Sequence, residues 1–491
     1  MQQQRSAAPP VSASARRQFS SRRLVRGQAL IWLLGTLSAS AAVMYGVYNV
    51  GQLNANKAKT VNAADAAALA GATAQARLLN LMAYNNRALM ANEAFLIQML
   101  SMESWLGYFR TTADNIGTVL NIIGTFVPPV RVAAEVLRRT AQVADRARGQ
   151  LTRTNDATLQ LLEVSKRGLI AAHGIARWTG ALLAEDAASR VVALSRTVSN
   201  GRTDDGFEID DRGAVRAATF VANQRDWTRF TRPYQANQRT DARQVLLASR
   251  DQFSTDRPGN DWLNFDADCV AGMEKRGGSR LRGFDRWETQ DTLELWTRRR
   301  LCSKRWMPIG WGRSNADLAR NPGNTWNPSR AAQRRARQDG ASGGHTHGPW
   351  TGVPEIYDIG NKRAQARETL GVDFVVAVRR PQNNTMTTRQ LGVGTVHASP
   401  LGSSNLEERL SSDQLTAVSK ARVSFDRPQR SPPNDFTAVG LWRPDRAREY
   451  GSLFSPYWQA RLKDFSSNEK RLLVTAMGLN PALSGLTPGG Q

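Results

Sequence analysis

Residues 22–71 read RRLVRGQALIWLLGTLSASAAVMYGVYNVGQLNANKAKTVNAADAAALAG: a basic cluster, one uncharged span and an alanine-rich stretch, with no proline between them. No charged residue separates Arg26 from Lys57, and the apolar part, Ala29 to Val50, is about 22 residues long. As a helix rising ~1.5 Å per residue it reaches roughly 33 Å, enough to cross a bilayer core of about 30 Å. Arg5, Arg16, Arg17, Arg22, Arg23 and Arg26 precede it, no acid occurs before Asp65, and only Lys57 and Lys59 follow closely. The positive-inside rule then keeps residues 1–26 in the cytoplasm and puts everything past Gly51 across the membrane. The competing reading is a cleaved signal peptide, for which Ser38-Ala39-Ser40-Ala41-Ala42 offers small-x-small sites. The apolar run continues past those sites through Val43, Met44 and Val47, and Tyr45 and Tyr48 suit an outer interface, which favours a retained anchor.

With 491 residues the chain has room for two or three domains. At 41% hydrophobic and 22% charged residues it is no multi-pass transporter. A net charge of +24, mostly arginine spread along the chain, has two readings: a generally basic composition, or attraction to something anionic such as nucleic acid, lipid head groups, lipopolysaccharide or acidic proteins; charge alone does not choose between them. The two cysteines, Cys269 and Cys302, fall on the oxidising side of the membrane. They predict a disulfide closing a loop of about 33 residues, worth ~3 kcal/mol by loop entropy. They lack the C-x-x-C spacing of a zinc site.

Residues 1–20 are rich in Gln, Ser, Ala and Pro and read as a disordered tail. From Lys57 to Gly124 neither proline nor a turn cluster interrupts an Ala- and Leu-rich pattern, which predicts a long helix continuous with the span. Leu78, Met82, Leu89, Leu96 and Met99 share one stripe, and Asn85 and Asn92 at its alternate positions either fix register between packed helices or lie at a wet edge. Pro128-Pro129 breaks the pattern, and a second helix is expected over Val130–Ser199, with Gly149, Gly168, Gly174 and Gly180 as places where it could divide. Two long helices around a short turn make an antiparallel hairpin. GRTDDGFEIDD (201–211) reads as a polar linker, and its carboxylates (Asp204, Asp205, Glu208, Asp210, Asp211) lack EF-hand spacing. Short helices and loops are expected from Ala214 to Leu301. Strand patterns follow at 372–378, 391–398, 421–425 and 457–462, separated by turn clusters, and predict an antiparallel sheet. The fold class is therefore α+β: a tail (1–26), a transmembrane helix (27–50), a helical hairpin stalk (51–200) and a mixed domain with an antiparallel sheet (201–491).

Signals for chemistry are sparse. Residues 270–345 interleave Arg280, Arg282, Arg286, Arg298–Arg300, Lys304, Arg305, Arg334, Arg335 and Arg337 with Trp287, Trp296, Trp306, Trp311 and Trp326. Arginines on phosphates with indoles stacking bases would make a strand-binding groove. The plainer reading is a loop-rich segment whose tryptophans fill a small core, because no nucleic-acid module signature accompanies the charge. His345 and His347 stand at i, i+2 in GGHTHGPW, a spacing that can chelate, but no third ligand is evident from sequence and no metal is assigned. Walker, nucleophile-elbow, H-E-x-x-H and Rossmann patterns are absent, so no enzyme and no cofactor are expected.

The first seventy residues resemble the amino-terminal module of TadE/TadG-like Flp pilus-assembly proteins. The resemblance rests on Arg26-Gly27-Gln28-Ala29 opening the span, on MYGVYNVGQL at its end, and on the phrase from Lys59 to Ala72, KTVNAADAAALAGA. A weaker echo is SLFSPYWQARL (452–462). Prepilin-like members are cut after a glycine and carry glutamate five residues on; here Gly27 is followed at that position by Trp32, which favours the uncleaved, TadG-like form. The resemblance implies a single-pass inner-membrane protein, amino terminus cytoplasmic and bulk periplasmic, serving non-catalytically in a tight-adherence or type II secretion-related pilus system. Small residues admit another helix closely. Val61, Asn62, Ala64, Asp65, Ala67, Ala68 and Gly71 are thus expected to dock a partner helix, of a pilin or sister pseudopilin or in a helix-mediated oligomer. The alternative is a tethered periplasmic module holding DNA or lipopolysaccharide with segment 270–345, although nucleic acid is not the expected partner.

Overall fold

The computed structural model describes residues 28–198, 206–210, 217–233, 239–257, 266–267, 271–298, 304–319, 345–359, 370–381, 414–427 and 451–470. One helix, α1 (Gln28–Gly124), runs unbroken from the span through the alanine-rich stretch. Its first part is long and apolar enough to cross a membrane, and Leu30, Ile31, Trp32, Leu33, Leu34 and Leu37 are all exposed there. The chain divides into two units: one holds the residues up to Ala58, the other the described residues from Lys59 on.

In the second unit, α1 turns at Gly124 into α2 (Pro128–Val198), whose prolines occupy the first helical positions, where no N–H partner is needed. None of the four glycines divides α2. The two helices pack antiparallel, as the pairs Arg110–Asp145 (2.9 Å), Thr152–Glu103 (2.7 Å), Asn92–Ser165 (3.2 Å) and His173–Met82 (3.0 Å) show. Asn92 thus bridges the helices as its place on the stripe suggested, and Met82, Leu89, Leu96 and Met99 are buried along it. At the far end Gly117 lets α2 come close, lying against Arg138, Ala134 and Leu137, while Val132, Val136 and Val143 face outward.

Three sheets complete the unit. The first has the order β1 (Glu208–Ile209), β9 (Gly371–Pro381), β10 (Gln414–Phe425), β11 (Trp458–Leu462), all antiparallel. It contains three of the four predicted strands; 391–398 lies outside the described residues. The second pairs β2 (Thr231–Pro233) with β8 (Tyr357–Ile359). The third has the order β3 (Asp266–Ala267), β4 (Ala271–Arg282), β5 (Arg286–Arg298), β6 (Lys304–Asp317), β7 (His345–His347), with β7 parallel to β6.

This third sheet corrects the expectation of short helices and loops between Ala214 and Leu301. Helices α3 (Ala222–Phe230) and α4 (Arg239–Ala248) are there, but from Ala271 the chain forms a long meander. Sequence alternation misses it because many of its buried positions are polar. Glu288, Thr289, Gln290, Asp291 and Thr292 on β5 are all buried, and so are Lys275, Ser279, Ser314 and Asn315 on its neighbours. Their charges are matched: Asp291 accepts from Arg257 Nε (2.8 Å), Arg257 Nη2 (2.9 Å) and Ser104 Oγ (2.7 Å), with Lys275 Nζ at 3.4 Å. Likewise Glu208, read as linker, lies on an edge strand and pairs with Arg379 at 2.9 Å.

Two apolar cores result, and both helices contribute to each. One joins Ala64, Ala68 and Leu79 of α1 and Ala184 and Ala188 of α2 to Phe374, Val376 and Val423 of the first sheet and to Trp227 of α3. The other joins Leu89, Ile97 and Leu100 to Leu281, Trp287, Trp350 and Ile356. Beside the second core Lys166 is buried between Glu93 (2.9 Å) and Glu163 (2.6 Å), and Trp350 Nε1 donates to Glu93 at 3.0 Å.

Helix and sheet also meet backbone to backbone. Gly310 and Gly312 on β6 lie under α1, and a Cβ at Gly312 would overlap Ser104 O and Tyr108 N, main-chain atoms that no rotamer change can move. Gly312→Ala should therefore destabilise the protein by roughly 1–3 kcal/mol, read as a lowered midpoint in chemical denaturation. Lys166→Met would leave two carboxylates facing each other without a cation, at a cost of about 3–5 kcal/mol. Burial already raises the Glu93 pKa above its ordinary 4.5, against the pull of Lys166. An acid whose folded pKa is raised is stabilising below its unfolded pKa and loses that contribution as pH rises. The Lys166→Met deficit should therefore be full near neutrality and shrink as pH falls towards 4.5.

Candidate functional site

The alanine-rich phrase after the span, Lys59–Ala72, forms about the first four turns of α1 in the second unit and divides into two faces. Ala64, Ala67, Ala68 and Gly71 turn inward and are buried. The absence of side chains there lets two neighbours in at once. The Phe374 ring of β9 occupies the place a Gly71 Cβ would take, and alanines 181, 184 and 188 of α2 complete the same core. Asp65 is half-buried beside them and accepts a hydrogen bond from Ser419 Oγ of β10 at 2.6 Å. Val61 and Asn62 lie on the exposed side with Ala66 and Leu69. The residues grouped by sequence as one docking face are therefore split: four serve the chain's own packing, Asp65 ties the helix to the sheet, and Val61 and Asn62 remain open.

Beyond Leu69 the open side continues along α1. Leu81, Tyr84, Phe95, Met102, Trp105 and Phe109 recur at spacings of three, four, seven and eleven and are all exposed, with Trp105 and Phe109 stacked at 5.6 Å. These spacings hold one stripe on a 3.6-residue helix. The apolar positions were visible in sequence; what could not be read there is that this stripe faces away from the sheets.

The segment echoed at 452–462 packs on the same helix. Asn80 Nδ2 donates to Trp458 O (3.1 Å) and Asn80 Oδ1 accepts from Trp458 N (3.0 Å). Asn86 Nδ2 donates to Leu453 O and Tyr357 O, both at 2.7 Å.

A second cluster lies where α1, α2 and β7 meet. His345 and His347, alternate residues on one strand, project to one side, where Asp156 of α2 and Glu103 of α1 wait. Glu103 is fully buried. Its Oε2 faces His347 Nε2 (2.6 Å), Asn155 Nδ2 (3.0 Å) and Ser314 Oγ (3.1 Å), and its Oε1 accepts from Thr152 Oγ1 (2.7 Å). Burial alone would raise the Glu103 pKa, but the His347 bond and charge with the Thr152 and Asn155 bonds hold it below the ordinary range. Burial would lower the His347 pKa, and the Glu103 and Asp156 carboxylates raise it instead. Sequence gave the two histidines but neither acid, which stand some 190 or more positions away on other elements.

The basic, tryptophan-bearing segment is not a stacking groove among its described residues. Trp287, Trp296 and Trp311 are buried in the third sheet, and only Trp306 is partly exposed. Arg286 is bound to Asp317 at 2.5 Å and Lys275 to Asp291. Trp326, Cys269 and Cys302 lie outside the described residues.

No curated protein and no solved structure matches the chain. Residues 27–74, the span together with the alanine-rich turns just described, match the model of the TadE/G-like Flp pilus-assembly family, and the chain thus opens on a TadE/G-like segment.

Proposed function

We propose that this protein is a non-catalytic, membrane-anchored component of Flp pilus assembly that engages partner helices through the open side of α1. The observation that carries the reading is that the family match ends inside a helix that passes without a break from the apolar span into the packed unit. In this reading the amino terminus is cytoplasmic, the bulk is periplasmic, and the inward alanines hold the helix while Val61, Asn62 and Leu69 meet a pilin-type helix. The apolar stripe from Leu81 to Phe109 supports an extended contact of the same kind, since exposed apolar patches of this extent mark interaction surfaces. Cys269 and Cys302 would be disulfide-bonded, as two cysteines on the oxidising side of a membrane are expected to be.

Two variants separate docking from folding. Val61→Lys with Leu69→Lys should abolish piliation in the native bacterium while protein level and membrane insertion stay unchanged; normal piliation would overturn the docking surface. Ala64→Leu, which forces bulk into the protein's own core, should instead lower the protein level. For the cysteines, electrophoresis without reductant should show a faster-migrating form that Cys302→Ser removes, and identical mobility with and without reductant would exclude the bond.

A further inference from the structure

We propose that Asp156, His345 and His347 form a binding site for a divalent transition-metal ion, with zinc the best match to their geometry. His347 Nδ1 lies 2.8 Å from Asp156 Oδ1, and His345 Nε2 lies 3.2 Å from Asp156 Oδ2, so two imidazole nitrogens converge on one carboxylate. The three ligand atoms lie within 4.8 Å of one another, and the two ring centroids stand 4.4 Å apart with the rings inclined at 69°. Bonds of ~2.0–2.1 Å to a tetrahedral zinc ion place its ligand atoms about 3.3 Å apart, and the distances from Asp156 Oδ1 to His347 Nδ1 (2.8 Å) and to His345 Nε2 (3.4 Å) fall on either side of that value.

The surroundings are those of a metal-bound histidine. Glu103 is buried and held by Thr152, Asn155 and Ser314, and it takes the His347 Nε2–H, which directs Nδ1 at the other ligands. A carboxylate behind a ligating histidine is the usual means of orienting the ring and raising its basicity. His347 Nδ1 faces a carboxylate oxygen of Asp156, the position from which both would reach a shared ion. His345 and Asp156 are 40% and 36% exposed, leaving the fourth position to water and giving an ion a way in. Two nitrogens and one oxygen select a borderline ion over calcium or magnesium, which take oxygen ligands. Bound there, the ion would pin the three-residue strand β7 to α2, in place of the ladder that so short a strand cannot supply.

The full chain, purified in detergent through a tag without histidines and stripped with chelator, would be titrated with zinc chloride by calorimetry and its metal content measured after dialysis. We expect one equivalent bound, at least tenfold weaker in Asp156→Asn and in His345→Ala, and a zinc-dependent rise in melting temperature that both variants lose. His345 is partly exposed, so His345→Ala should melt as the parent does in chelator, which separates lost ligation from misfolding. Cobalt in place of zinc should give the visible absorption of a tetrahedral site. Zinc binding unchanged in both variants, or no binding to the parent, would overturn the site and leave the cluster a proton-bridged ion pair.

Discussion

The fold depends on how its sheet edges find hydrogen-bond partners. At three places a strand turns both its N–H and its C=O outward, and a helical side chain answers both. Thr111 of α1 accepts from Trp311 N (2.7 Å) and donates to Trp311 O (2.6 Å) on β6. Asn223 of α3 does the same for Val375 of β9, at 3.0 and 2.8 Å, and Asn80 of α1 for Trp458 of β11. A carboxamide carries a donor and an acceptor side by side, so it stands in for one residue of a missing strand. Leaving such a buried group unmet costs about 1–3 kcal/mol, so these bonds set where each helix must lie against its sheet. The glycines of β6 follow from this, because Thr111 reaches the strand only if α1 comes down onto its backbone.

The same demand explains a polar interior in a chain that is 41% hydrophobic. Asp291, Glu103 and Lys166 are buried, and each gathers partners from two or more elements. Such clusters are weak sources of net stability, since removing charges from water is costly, but breaking one leaves a buried ion alone. They fix which surfaces meet. Near the third sheet Arg257, Lys275 and Arg286 are held in this way, while Arg280 and Arg282 stay exposed.

A consequence for function is that one helix serves three clients. Its small residues admit α2 and the first sheet on two sides, and its third side carries an apolar stripe that nothing in the described residues covers. A contact surface carried on a helix already packed on two sides loses little conformational freedom when a partner arrives.

Composition and order along the chain sufficed for whatever depends on local pattern. The uncharged run from Ala29 to Val50, the helix continuing from it, the break at Pro128-Pro129 and the strands at 372–378, 421–425 and 457–462 all follow from periodicity, charge placement and turn chemistry, which act within a few residues. The family segment was legible for the same reason. Long-range juxtaposition decided the rest. The meander over Ala271–Asp317 carries polar residues where an apolar strand face was sought, and they are stable inside only because Arg257, Ser104 and Glu103 arrive from elsewhere. Ala64 and Gly71 look identical in sequence whether they receive a partner or the protein's own Phe374. His345 and His347 stood out as a pair, yet Asp156 and Glu103 join them only through the packing of two helices on a strand, because a ligand set is a property of space and leaves no spacing in the chain.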